Sequence, residues 1–232
     1  MKGPKKVALR TVGEWEVRSP KDYAANHRSP FADVQVEADF TSPSGMIQTM
    51  PGFYDGNGVW RVRFNPGEVG GWKVSIRSRP HDEALTGSGS FDVTSRKSRG
   101  FLKATPGEAW GFKFESGEPV FIMGDTVYDT FGMDYCGGDV DGFLSRRIKQ
   151  GFNMIRARLP MSQFHPPGAD WNWHTRDMWA WGGSRSAPRF DLFNLDYFQS
   201  VDRMIGRIEK LGLGVEMIME GWGFEFPFNH RA

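Results

Sequence analysis

The chain has 232 residues, enough for one large domain or two ordinary ones. Lysine plus arginine total 29 and aspartate plus glutamate 28, so near-neutral a balance gives no general pull toward nucleic acid or an anionic membrane. A single cysteine, Cys136, excludes an intrachain disulfide, and no stretch approaches the roughly 18 apolar residues of a membrane span.

At the N-terminus, Val7 to Trp15 is too short and too broken by charge for a signal core. A cytoplasmic protein is expected, or a secreted or periplasmic one whose leader has been removed. From residue 1 to 97 the chain reads as strands. Val34 to Phe40, Gly58 to Phe64, Gly71 to Arg77 and Gly89 to Val93 alternate apolar and polar residues. That period marks half-buried strands. Turn chemistry separates them, at Pro43-Ser44-Gly45 and at Asp55-Gly56-Asn57-Gly58. Short alternating strands at such spacing predict an antiparallel β-sandwich over 1–97. Phe40, Trp60, Phe64 and Trp72 read as its core.

Ser95 to Ser98 is polar and basic, a linker. Beyond it the period changes. Trp110 to Phe114 reads as one arm of a hairpin, and Val120 to Gly124 as a strand buried on both faces. A helix capped by Asp139 follows, with Val140, Phe143, Leu144 and Ile148 as its stripe and Gly151 as its stop. Phe152 to Leu159 is a second buried strand, and Pro160 to about Phe190 a long loop. A second helix is capped by Asn194, with Tyr197, Val201, Met204, Ile205, Ile208 and Leu211 on its stripe and Gly212 at its end. Leu213 to Glu220 is the third strand. Strand, helix, strand, helix, strand predicts parallel βαβ units. The expected fold class is therefore multi-domain: an antiparallel β-sandwich over 1–97, then the first three βα units of a (β/α)8 barrel over 98–232. A full barrel takes about 250 residues, so the chain is expected to stop within it or to need an oligomer or partner chain along its open edge. A freestanding small α/β domain is the alternative.

Strand parity then sorts the side chains. Asp125 shares a face with Phe121 and Met123; Arg156 and Arg158 share one with Met154; Glu216 and Glu220 share one with Ile218. Asp125, Arg158 and Glu220 stand at strand C-termini, where barrel enzymes and open α/β sheets hold ligands. Two pairings are expected: a buried Arg156–Glu216 pair, and Arg158 between Asp125 and Glu220 at the rim. The alternative is that these charges only neutralise one another. The loop adds Trp171, Trp173, Trp179 and Trp181, and Trp222 follows the third strand. Flat indoles stack on sugar rings, and about 100 Å2 of apolar surface removed from water is worth roughly 2.5 kcal/mol. Packing of the loop upon itself is the competing role for each tryptophan. Glu220 resembles a general acid in its setting, yet a glycosidase needs two carboxylates and no clear second one is present. His165, His174 and His230 lack compact ligand spacing, so neither metal nor cofactor is expected.

Phe53-Tyr54-Asp55-Gly56, Trp60 to Pro66 and Gly70-Gly71-Trp72 resemble the immunoglobulin-like domain of unknown function that often precedes a glycosidase barrel. Pro119 to Thr126, Gly151 to Ile155 and Arg189 to Phe198 resemble the apiosidase-like glycoside hydrolases. The resemblance implies hydrolysis of plant or algal polysaccharide side chains, with a carbohydrate as the partner. It also implies that the catalytic carboxylates belong to later strands, around the fourth and seventh, beyond this chain. Asp125, Arg158, Trp171, Trp173, Trp179, Trp181, Glu220 and Trp222 would then bind substrate. A non-catalytic carbohydrate-binding or assembly protein is the alternative reading.

Overall fold

The computed structural model describes residues 1–23, 29–105, 107, 111–159, 179–184 and 187–219. The chain divides into two compact units, Met1–Val120 and Phe121–Ala232.

In the first unit, strands β1 (Lys6–Ala8), β2 (Gly13–Arg18), β3 (Gln35–Thr41), β4 (Ile47–Gly56), β5 (Val59–Phe64), β6 (Gly70–Arg79) and β7 (Gly87–Thr94) form one sheet. Its order is β1-β7-β6-β3-β4-β5-β2. The expected two-sheet sandwich is thereby corrected to a single, nearly closed seven-stranded sheet. Strand β4 carries the sheet round its corner. Ile47 to Pro51 pair with β3, and Gly52 to Gly56 pair with β5. Gly52 sits at the changeover, where a Cβ would lie 3.1 Å from the carbonyl oxygens of both Val36 and Arg61. A side chain there would have to push the two flanking strands apart by a few tenths of an ångström, so glycine suits this close approach. The N-terminal segment nearly joins the edges: Lys2 bridges to Glu16 on β2, and Lys6 to Ala8 pair in parallel with β7.

Alternation along the strands sends one set of residues inward. In β6, Trp72, Val74 and Ile76 are buried while Lys73, Ser75 and Arg77 are exposed. The enclosed core is aromatic. Phe40 stacks on Phe64 at 4.1 Å, and Trp15 meets Phe40 edge-on at 4.9 Å. On the outside, Arg61 links Asp55, Glu14 and Glu16 at 2.5 to 3.0 Å across β2, β4 and β5. A second, small antiparallel sheet of β8 (Leu102–Ala104), β9 (Phe112–Phe114) and β10 (Pro119–Val120) completes the unit.

The second unit contains β11 (Gly124–Thr126), α1 (Thr130–Tyr135), α2 (Val140–Lys149), β12 (Met154–Arg158), β13 (Trp181–Gly183), β14 (Pro188–Phe193), α3 (Leu195–Lys210) and β15 (Gly214–Ile218). Strands β11, β12 and β15 pair in parallel, in that order. The helix ends follow the sequence chemistry. Asp139 accepts from Gly142 N at 2.9 Å, and Asn194 accepts from Tyr197 N at 3.3 Å. Gly151 and Gly212 follow the two helices with φ of 90° and 78°. Leu144, Met204 and Ile208 pack with Ile155 and Ala157 in a core beneath the sheet.

The barrel expectation is corrected too. The described chain is mostly β, 43% strand against 19% helix, and the parallel part is a three-stranded sheet rather than a (β/α)8 fragment. Local periodicity reports burial and strand direction, but not the stagger that closes a barrel. The first parallel strand also starts later than its apolar run suggests. Phe121 is 84% exposed, and Val120 pairs with Phe112 in the first unit. The long loop before the second helix is in part a hairpin, β13 against β14, with an irregularity between Trp181 and Gly182.

Candidate functional site

The C-terminal ends of β11 and β12 gather the polar side chains of the second unit. The chain leaving β11 is held against β12 by backbone bonds: Val127 N to Arg156 O at 2.9 Å and Arg158 N to Tyr128 O at 3.1 Å. Thr130, fully buried, donates its hydroxyl to Val127 O at 2.8 Å and fixes the turn into α1. This brings Asp129 beside the end of β12, where Arg158 is also buried. Tyr197, from the first turn of α3, completes the group. Its hydroxyl donates to Leu159 O at 2.7 Å. Burial first, then the Asp129 charge, holds the phenol well above its ordinary range, while Arg158 pulls the other way. An anion, a cation and a phenol thus share one low-dielectric rim, the place where open α/β sheets take their ligands.

Asp125 does not join them. It lies in register with Ile155, whose side chain is fully buried on the helix-covered side of the sheet. Its carboxylate accordingly receives Arg147 Nε from α2, not Arg158. A one-residue difference in register reverses every face, and β11 is offset by one from the parity read in its apolar run. Thr126, not Asp125, is the residue aligned with Arg156 and, through it, Glu216.

Arg156 and Glu216 do pair, at 3.0 Å, as directly opposed residues of β12 and β15. The expected burial is corrected: their side chains are 46% and 55% exposed, on the sheet face opposite the helices. Solvent screens such a pair, so it contributes about 1 kcal/mol at most.

Of the tryptophans, Trp179 is buried at 5% exposure and donates its indole N–H to Gly182 O at 3.1 Å. Its backbone oxygen accepts from the Asn194 side chain at 2.9 Å, so it anchors the hairpin to the start of α3. Its surroundings are those of a packing residue. Trp181 is half-buried, 5.0 Å from Phe193 and 5.9 Å from Phe190. Trp171, Trp173, Glu220 and Trp222 lie outside the described residues. Asp129, Tyr197 and Arg147 were not singled out by the sequence. Tyr197 reads as one more stripe residue, and only its hydroxyl at a helix start hinted at a second role.

Among the described residues, no three His, Cys, Asp or Glu side chains converge as a metal site. No described helix is long and apolar enough to cross a membrane.

Two families match the chain. Residues 11–79 match a domain of unknown function, DUF5060. Residues 111–230, just over half the chain, match the apiosidase-like catalytic domain. The chain thus belongs with the glycoside hydrolases at the family level. Within them, the chain belongs to the apiosidase-like catalytic domain family. Among solved structures, it is similar to a protein assigned as a glycoside hydrolase from Bacteroides vulgatus ATCC 8482, with a TM-score of 0.66 at 20% identity. That match covers 93% of this chain and 41% of the other, so this chain spans about two fifths of its length. A pullulanase type I from Bacillus subtilis matches at a TM-score of 0.24 and 12% identity, over 89% of this chain and 31% of that one. The Lin-41 filamin domain matches at 0.27 and 20%, over 39% of this chain and 83% of that one. Neither of the last two carries an argument. No curated protein sequence matches the chain.

Proposed function

We propose that the chain belongs to a glycoside hydrolase acting on a plant or algal polysaccharide or oligosaccharide, and that the rim at the ends of β11 and β12 binds the sugar. The observation that carries this reading is the match of residues 111–230 to the apiosidase-like catalytic domain. The group of half-buried Asp129 with buried Arg158 and Tyr197 supports the location. Arg158 offers planar donors to sugar hydroxyls or to a ring oxygen. Trp181, half-buried on the β13–β14 hairpin, is the described indole that could stack on a sugar ring. Trp171, Trp173, Glu220 and Trp222 keep their sequence-based assignment as further substrate contacts. Asp125, tied to Arg147, acts by positioning α2 under the rim rather than by touching substrate.

Binding of soluble xylan, pectin and laminarin oligosaccharides by calorimetry, measured for the parent chain and for Arg158→Lys, tests the reading. Lysine keeps the charge and loses the fork. The expected result is binding of at least one of them that weakens about tenfold or more in the variant. Equal affinity in both proteins would remove Arg158 from the site. No binding of any of them would overturn the rim as the sugar site.

A further inference from the structure

We propose that a cavity of about 500 Å3 beside the β4–β5 turn of the first unit is a saccharide subsite taking one neutral sugar ring, with the Trp60 indole N–H as its buried donor. The choice of a sugar among neutral hydroxylated rings rests on the proposed function. The site itself stands on its own residues, and it lies in the segment matched only to a domain of unknown function.

Trp60 is 1% exposed, and its Nε1 finds no acceptor among the described residues. The fold does satisfy other buried indoles: Trp72 donates to Glu68 O at 2.9 Å and Trp179 to Gly182 O at 3.1 Å. A buried donor left without a partner is uncommon in a native structure and calls for a physical reason. A sugar hydroxyl or ring oxygen would supply the missing acceptor.

The lining suits that ligand. Tyr23 and Tyr54 flank Trp60, with ring centroids 5.5 Å and 4.8 Å away, and give apolar walls with polar tips. Arg18, Lys21, Asp22 and Asn57 bring donors and acceptors to the mouth. Charge there is balanced. Lys21 sits 3.1 Å from Asp82, whose carboxylate also accepts from Tyr23 at 2.6 Å and Ser19 at 2.7 Å. Arg18 and Asp22 offset one another in sign. Such a lining favours a neutral polar ring over an anion or cation. The volume falls within the roughly 300–1,000 Å3 of small-molecule sites.

Tyr54 is one wall of the cavity, half-buried, with its ring 5.1 Å from Phe31 and its hydroxyl accepting a long bond from Gly58 N at 3.4 Å. A ligand reaching the buried Trp60 indole N–H displaces part of this packing.

The test uses the full chain labelled with 15N, titrated with methyl β-D-glucopyranoside, methyl β-D-xylopyranoside and methyl β-D-galactopyranoside. The Trp60 indole N–H signal is identified by its loss in Trp60→Phe. A saturable shift of that signal with at least one glycoside is expected. Trp60→Phe and the exposed-rim variant Arg18→Ala should each weaken binding, the first by about tenfold. No saturable shift with any of the three sugars overturns the proposal, as does parent-like affinity in Trp60→Phe. Should Trp60→Phe fail to fold, Arg18→Ala and Asn57→Ala decide, and unchanged affinity in both overturns it. Trp181→Ala should leave this shift intact, so loss of the rim reading and loss of this one are separable.

Discussion

Asp82 shows how much a single buried charge can hold together. It is 5% exposed, and it receives the Tyr23 and Ser19 hydroxyls, the Lys21 ammonium and Ala84 N. Burial alone would raise its pKa, but these donors together outweigh burial and hold the carboxyl well below its ordinary value of 3.8. A carboxylate with a depressed folded pKa contributes stability that is complete above its unfolded value and is lost as pH falls through the folded one. Asp82→Asn should therefore cost about 2–3 kcal/mol at neutral pH. Its deficit against the parent should shrink as pH drops below about 4. Thermal melts at a series of pH values check both the size and the trend. Arg156 gives the opposite case. Its partner Glu216 is where the sequence put it, but both are exposed, so Arg156→Met should change stability by no more than about 1 kcal/mol. A loss of several kcal/mol in a denaturant melt would mean that the pair is buried after all. Tyr197→Phe removes the donor to Leu159 O from a fully buried site and should cost about 1–2 kcal/mol by the same measurement.

At the scale of elements, the two longer helices are the legible part, while the six-residue α1 is not read from the sequence. Asp139, Asn194, Gly151 and Gly212 act where capping chemistry puts them, because a helix end is settled by a few neighbouring residues. Val201, Met204 and Ile208 form the buried stripe of α3 as the period requires, though Leu211 is 39% exposed past its end. The strands were legible as strands and less so in register. β11 is three residues long, too short for alternation to fix its faces, and its register is set by β12 instead. Parity along the apolar run therefore puts Asp125 on the opposite face and gives no hint of Arg147. The β13–β14 hairpin was hidden for another reason. Its aromatic residues, Trp181, Phe190 and Phe193, resemble a recognition loop as readily as a folded one. Trp179 decides between them locally, since its N–H and its carbonyl are both used in holding the hairpin to α3. Trp179→Ala should destabilise the chain by about 3–5 kcal/mol, as loss of a buried aromatic does. Trp181→Ala, only half-buried, should cost distinctly less. Denaturant melts of the two variants give the comparison.

At the scale of the whole molecule, local pattern does not carry the pairing of distant strands. Period-two alternation identifies β3, β5, β6 and β7 one at a time, and leaves β2 and β4 unread. It does not say that β1 pairs with β7, or that β4 serves two partners and turns the sheet at Gly52. Those pairings join residues far apart in the chain, such as Lys6 and Asp92. In the second unit the same limit applies: three parallel strands with helical crossovers are common to many open sheets, and the local pattern alone does not make them part of a barrel. The rim was legible in part. Arg158 was read at the end of its strand, whereas Asp129 and Tyr197 join it only through the turn after β11 and the first turn of α3.

The central claim is that this rim recognises carbohydrate. Affinity electrophoresis of the full chain in gels containing soluble xylan, pectin or laminarin, with Trp181→Ala run beside the parent, tests it most directly. The parent should be retarded by at least one polymer, and Trp181→Ala should be retarded about tenfold more weakly while melting as a folded protein. Equal retardation of the two proteins, or none with any polymer, would contradict it.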